Sequence, residues 1–286
     1  MVRRLGRFIE RWTWGEWQLI HAEYAPADAV AARRLDWRPL VVLLVAVLCL
    51  TLQYYWGDRD TFAHIWQRPR DPEWIRSSYE LKSFAWWTGW RVGGYVLVPL
   101  VVVLLLPGER LRDYGFSVRG FRRHAWIYVA LFLLVLPLVI AVSFTQAFQH
   151  AYPFYKLANR SAGDLLAWEL MYALQFLSLE FFFRGFLLHG LKRSLGAHAI
   201  WVMVVPYVMI HFEKPLAETL GAILAGLALG TLALRTRSIW CGVLIHMSVA
   251  ITMDLLALSH CPADQPCRSE HPAMYEQMHY GRPAAR

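Results

Sequence analysis

The chain has 286 residues, of which 57% are hydrophobic and 17% are charged, and its formal net charge is +8. Soluble domains usually carry charge on about a quarter of their residues. The low charged fraction therefore argues against a soluble protein. The alternative, a set of helices buried in a large soluble core, is disfavoured because several long uncharged runs recur in one short chain. The positive charge does not indicate nucleic acid binding, because the basic residues lie between apolar runs, where membrane proteins carry them.

Residues 1–38 form a basic N-terminal segment in which Arg3, Arg4, Arg7 and Arg11 alternate with apolar side chains. It lacks the apolar stretch and small-residue cleavage site of a secretory signal. Two interpretations stay open at this point. The segment is either an amphipathic helix lying on the membrane surface or a solvated basic tail.

The rest of the chain predicts an all-α fold, a polytopic transmembrane bundle with about seven membrane helices. Uncharged or nearly uncharged runs approach the roughly 20 residues that a helix needs to cross a bilayer. The predicted segments are 39–57, 85–107, 125–146, 164–190, 197–212, 219–235 and 238–258. They divide into N-terminal membrane helices and loops over 39–163 and a core over 164–258, and a polar tail follows over 259–286.

The loops that lie on the same side as the N-terminus carry more Lys and Arg than the opposite loops. This bias predicts a cytoplasmic N-terminus for a multi-pass protein of the cell membrane. It also places Cys261 and Cys267 outside, where an oxidising compartment would allow a short disulfide. Cys49 and Cys241 lie inside apolar runs and are interpreted as packing residues.

Small residues recur every fourth position in the segment that contains Ala222, Gly226 and Gly230. This spacing lets helix backbones approach closely within a bilayer. The pattern predicts that the helix is a packing element around which others assemble.

Ionisable residues inside membrane helices are costly unless they are paired or hydrated, so they are candidates for function. Glu180 and Arg184 are spaced i, i+4 and can form an ion pair on one helix face. His211 closes an apolar segment, His246 lies midway along the last one, and Asp254 follows His246 by about 80° around the helix. Each also has a structural interpretation, as a buried packing pair or as a histidine bonded to a backbone carbonyl.

A carboxylate and a histidine can together activate water, and a second histidine can stabilise the oxyanion that forms when water attacks a peptide carbonyl. One Glu and two His could equally hold zinc with an open position. The spacing of a His-Glu-x-x-His zinc motif is absent from the sequence. No cofactor is therefore certain, and zinc stays an alternative.

The order of these residues resembles the CAAX protease and bacteriocin-processing family. The matching elements are Glu180-x-x-x-Arg184-Gly185, Tyr207-x-x-x-His211, the small residues that follow, and His246 on the last helix. The resemblance covers about 165–258 and implies a CAAX-protease-like core of helices around a polar cavity. It also implies catalytic roles for Glu180, His211 and His246, with supporting roles for Arg184 and Asp254.

Two positions depart from the family pattern. Leu179 stands where the family carries the first of two adjacent glutamates, and Ala250 stands where it often carries Asn. Despite these departures, the ionisable residues and the family resemblance together predict an intramembrane endopeptidase. It would cleave a membrane-associated peptide or protein bearing a processing signal, with the lipid bilayer as its other partner. The alternative is a catalytically inactive family member that serves as a membrane scaffold or immunity protein.

Overall fold

The computed structural model describes residues 15–24, 36–67, 69, 77–118, 121–212, 214–261 and 267, without the side chains of 121–123. The basic N-terminal segment and the polar tail predicted above lie largely outside this part of the chain. The helices in chain order are α1 (Glu16–Tyr24), α2 (Trp37–Trp56), α3 (Arg59–Ile65), α4 (Tyr79–Leu105), α5 (Phe121–Ser143), α6 (Gln146–Ala151), α7 (Ala162–Leu195), α8 (His198–Met209), α9 (Leu216–Thr236) and α10 (Trp240–Ser259).

The predicted all-α class is confirmed. Within the described residues the only β contact is an isolated bridge between Phe116 and Ser238. Six helices, α2, α4, α5, α7, α9 and α10, are long and apolar enough to cross a membrane. The chain is therefore a multi-pass membrane protein.

The fifth predicted segment, 197–212, is shorter than expected. Its helix α8 has 12 residues, which gives a length of about 18 Å against roughly 30 Å of hydrocarbon. The chain turns over Ile210 to Phe212, and Pro215 then caps the start of α9. The carbonyl groups at this helix end are satisfied locally, since Ile210, His211 and Phe212 donate their backbone N–H groups back to the last turn of α8. His211 therefore lies in a half-buried turn between α8 and α9.

Two other segments are longer than predicted. Helix α4 begins at Tyr79, because the charged Glu80 in its first turn is paired with Arg59. Helix α7 continues to Leu195, and its Lys192 donates a hydrogen bond to the carbonyl of Asp113 at 3.0 Å. In each case a partner lets a charged residue extend an otherwise apolar helix.

The centre of the bundle is a π-helical stretch of α7, Phe181–Leu188, every residue of which is buried. A second π-helical stretch, Gly93–Leu97, lies within α4. The two meet where the rings of Tyr95 and Phe182 stack with centroids 4.5 Å apart. Short π-helical segments re-register a helix and are frequent at functional sites, so the wide turn after Glu180 marks this part of the core.

The small residues of α9 pack against α8, as their spacing predicts. A Cβ on Gly226 would lie 2.9 Å from a methyl of Val204 and 3.2 Å from the ring of Tyr207. A Cβ on Gly230 would lie 2.9 Å from the terminal methyl of Met203. The absence of side chains therefore lets the two helices pack closely and brings Tyr207 towards the core.

The two ends of the bundle are stabilised by different contacts. At one end, Glu16 of α1 pairs with Arg235 at 2.7 Å, so the described part of the N-terminal segment docks on α9. At the other end, a disulfide joins Cys261 to Cys267, and the backbone N–H of Cys267 donates to the carbonyl of Lys156. The termini of the described chain therefore lie at opposite ends.

Candidate active site

Glu180 and Arg184 form an ion pair in the middle of the bundle. Glu180 is the last residue before the π-helical stretch of α7, and Arg184 lies within that stretch. Arg184 Nη1 is 3.0 Å from Glu180 Oε1, and both residues have 0% relative exposure. The predicted i, i+4 pairing is therefore present, in a setting where neither charge is solvated by water.

His246 of α10 contacts the same carboxylate. Its Nδ1 lies 2.7 Å from Glu180 Oε1, within ion-pair distance for a protonated imidazole, and neither atom has a hydrogen-bond partner among the described residues. The His246 side chain is 17% exposed, whereas that of Glu180 is 1% exposed. Of these two groups, the imidazole is the one that can reach water.

Tyr207 of α8 connects the remaining parts of the site. Its hydroxyl lies 3.1 Å from His246 Nε2, and the guanidinium carbon of Arg184 lies 4.0 Å from its ring centroid. Cation–π contacts of this kind contribute about 2 kcal/mol when desolvated. The sequence identified Tyr207 only as the aromatic residue four positions before His211, and its hydroxyl is the feature that went unused.

His211 reaches this group through Tyr207. Its Nδ1 donates to the Tyr207 carbonyl at 2.7 Å, and the two rings are 4.9 Å apart. A carbonyl oxygen can only accept, so Nδ1 carries a proton in this contact. With Nδ1 carrying the proton, the lone pair of Nε2 is available to accept a hydrogen bond.

Asp254 occupies a different place. It is fully buried, and its Oδ2 accepts a hydrogen bond from the Trp168 indole at 2.5 Å. Two turns of α10 separate it from His246. The structure therefore brings together Glu180, Arg184, His246 and His211, while Asp254 contacts an aromatic group near the start of α7.

Leu179, which departs from the family pattern, is buried in the hydrophobic core. Its side chain packs with apolar neighbours and contributes no polar atom to the site. Glu180 is therefore the carboxylate that contacts Arg184 and His246.

The donor set does not fit zinc. Catalytic zinc takes three protein ligands, and in the part of the chain that the structure describes no three His, Cys, Asp or Glu side chains could hold a metal ion. Glu180 and His246 supply two donors, but the cationic Arg184 contacts the same oxygen.

An apolar groove of about 540 Å³ runs between α7 and α10. Its walls include Leu174 and Leu177 on one helix and Val243 and Met247 on the other. Leu177 lies one turn before Glu180, and Met247 follows His246 directly. Neither Glu180 nor His246 lines the groove, but Leu177 and Val243 precede them by three residues each.

Residues 161–252 match a family model described as type II CAAX prenyl endopeptidase Rce1-like. No curated protein and no solved structure matches the chain. The matched stretch begins at the N-cap of α7 and ends inside α10, so it includes Glu180, Arg184, His211 and His246, and it stops two residues before Asp254. Over α7 to α10 this membrane protein therefore carries an Rce1-like domain of the CAAX protease family.

Proposed function

We propose that the protein is an intramembrane endopeptidase that hydrolyses a peptide bond of a membrane-associated substrate with water activated by Glu180 and His246. The observation that supports this most directly is the 2.7 Å contact between Glu180 Oε1 and His246 Nδ1. A carboxylate that orients an imidazole and stabilises its protonated form is a recurrent device for activating a nucleophile.

In this mechanism His246 Nε2 accepts a proton from water while the resulting hydroxide attacks the substrate carbonyl carbon. Glu180 is too deeply buried to be the first acceptor, and its charge instead stabilises the imidazolium. When the tetrahedral intermediate collapses, the proton passes from His246 to the leaving amine as the C–N bond breaks. Atoms and charges balance over the cycle, and the site returns to its starting state.

Tyr207 is the donor best placed for the oxyanion. Its hydroxyl is hydrogen-bonded to His246 Nε2 and can turn from that nitrogen to the developing negative charge. Such donors are effective because they are already positioned before the reaction. His211 has a different task, because its N–H is bonded to the Tyr207 carbonyl. Its Nε2 accepts a hydrogen bond from the attacking water and so orients it.

The apolar groove between α7 and α10 favours a substrate with a lipid anchor or apolar segment. The family model is named for prenyl-protein substrates, and a prenyl chain has the size and polarity to enter such a groove. The scissile bond would then lie next to His246. The protein's localisation in the cell membrane, with its N-terminus in the cytoplasm, belongs to the same proposal.

The test compares the newly formed termini of membrane-associated peptides in cells that express the wild type, His246→Ala or His260→Ala. His260 is an exposed histidine at the end of the same helix, so its variant controls for histidine loss. Purified protein in nanodiscs is then assayed on a prenylated fluorogenic peptide and its unprenylated counterpart. Products are expected with the wild type and His260→Ala only. Equal cleavage by His246→Ala would exclude the mechanism.

The second candidate function is a catalytically inactive scaffold or immunity protein. Leu179 favours it, because the family's first glutamate is missing, and so does the engagement of Glu180 by Arg184. A scaffold would retain its cellular effect in the Glu180→Gln, His211→Ala and His246→Ala variants. It would also yield no termini that depend on the protein.

A further inference from the structure

Gly242 lies in the first turn of α10, four residues before His246, and is buried. A Cβ added at this position would overlap Glu180 Oε2 and would lie 2.9 Å from the carboxylate carbon. The Glu180 carboxylate therefore packs directly on the backbone of α10, in the volume that any other residue's side chain would occupy.

This contact complements those on the other oxygen. Oε1 lies within ion-pair distance of Arg184 and His246, and Oε2 lies against Gly242. Neither oxygen has a hydrogen-bond partner among the described residues. Residues four apart lie on the same helix face. The clearance at Gly242 is therefore what allows the carboxylate to reach the His246 ring on that face.

The position of Gly242 also affects the charge of Glu180. The first intrahelical hydrogen bond of α10 is donated by Val243 to Ile239. The N–H groups of Cys241 and Gly242 precede it, while that of Trp240 donates to Ser238 Oγ at 3.4 Å. Unpaired N–H groups in a first helical turn favour a nearby negative charge. A carboxylate held at this turn is stabilised as the anion that His246 needs as its partner.

We propose that Gly242 is a positioning residue, whose lack of a side chain sets the Glu180 carboxylate against His246. The inference rests on the proposed function for its effect on catalysis, but not for its effect on packing. The two effects are measured separately, by the cleavage rate in nanodiscs and by the unfolding midpoint of the detergent-solubilised protein.

Gly242→Ala is expected to lower kcat roughly 100-fold with little change in KM, since a displacement of about 1 Å at a reacting group has that order of effect. The matched control is Gly221→Ala in α9, because a Cβ there meets no atom within 4 Å. The control should keep the wild-type rate and midpoint. A Gly242→Ala variant that behaves like Gly221→Ala in both measurements would overturn the proposal.

A second variant tests the packing independently of activity. Asp is one methylene shorter than Glu, so Glu180→Asp withdraws the carboxylate from the volume that the new Cβ takes. Adding Glu180→Asp to Gly242→Ala should raise the folded yield and the midpoint above those of Gly242→Ala, although Glu180→Asp alone lowers them. If the double variant is no better than Gly242→Ala, the proposal is wrong.

Failure of the proposed function gives a different result. If the wild type cleaves neither peptide, the catalytic mechanism fails, and the packing measurements still decide whether Gly242 positions Glu180. If the wild type is active and the double variant recovers stability but not rate, the positioning role is supported. That outcome follows because the shorter carboxylate no longer reaches His246.

Discussion

Replacement of Glu180 by Gln tests the buried ion pair most directly. Gln has nearly the same shape, so the change removes the charge and leaves Arg184 as an uncompensated cation in a fully buried position. At the observed 3.0 Å separation, two unit charges at an effective dielectric constant of about 20 interact by about 5 kcal/mol. Removing one partner of a buried pair costs about 3–5 kcal/mol in measured cases, and we expect this loss.

The matched control is Glu16→Gln, which makes the same chemical change in a different setting. Glu16 pairs with Arg235 at 2.7 Å, but the two side chains are 18% and 38% exposed. Exposed pairs contribute at most about 1 kcal/mol. The Glu16–Arg235 pair is shorter than the Glu180–Arg184 pair, yet its loss is expected to cost less stability. The reason is that water solvates the charges of the exposed pair and not those of the buried pair.

The assay is equilibrium unfolding of the purified variants in mixed micelles, with cleavage measured in parallel. Arg184→Met added to Glu180→Gln should recover most of the lost stability, since no charge is then left unpaired, while the protein stays inactive. Equal losses for Glu180→Gln and Glu16→Gln would refute the reasoning. They would mean that Glu180 and Arg184 are hydrated in the folded protein.

Three further predictions concern single neighbours of the site. Tyr207→Phe keeps the ring over Arg184 and removes the hydroxyl. The cleavage rate should therefore fall by about 100-fold, while the unfolding midpoint stays the same. A wild-type cleavage rate in this variant would assign the oxyanion to another donor. Gly226→Ala should cost about 1–3 kcal/mol in mixed micelles through overpacking against α8, and a cost of zero would show that the two helices separate easily. Asp254→Leu leaves the Trp168 indole unpaired and should lower the free energy of unfolding by about 1–3 kcal/mol, whereas Asp254→Asn preserves an acceptor. Both variants should still cleave the substrate. Loss of cleavage by Asp254→Asn at normal stability would place Asp254 in the catalytic group.

Much of the architecture could be predicted because the bilayer restricts the possibilities. Long uncharged runs must form helices that satisfy their own backbone hydrogen bonds, so the all-α class and six of the seven predicted segments agree with the structure. The small residues around Gly226 also predicted their packing role correctly. The exception is α8, which was predicted to be a membrane-spanning helix and has only 12 residues. Apolar composition does not show where a helix ends within an apolar run.

The candidate residues were recognisable because ionisable residues are rare in apolar segments, and because Glu180, Arg184, His211 and His246 also match the order of the family motifs. Their roles remain proposals. The sequence left Asp254 as a possible member of the same group. Its distance from Glu180 and Arg184 could not be predicted, because those residues lie on another helix. Its contact with Trp168 depends on how α7 and α10 cross.

By itself the sequence determined that this is a helical membrane protein, and it identified the ionisable residues that its apolar helices enclose. Only the tertiary structure decided which of them meet. Contacts between Glu180 and His246, between Tyr207 and His246, and between Glu180 and the backbone at Gly242 join residues that are 39 or more positions apart. Such contacts are set by helix crossing and by the π-helical turn after Glu180, neither of which is encoded in a local pattern of residues.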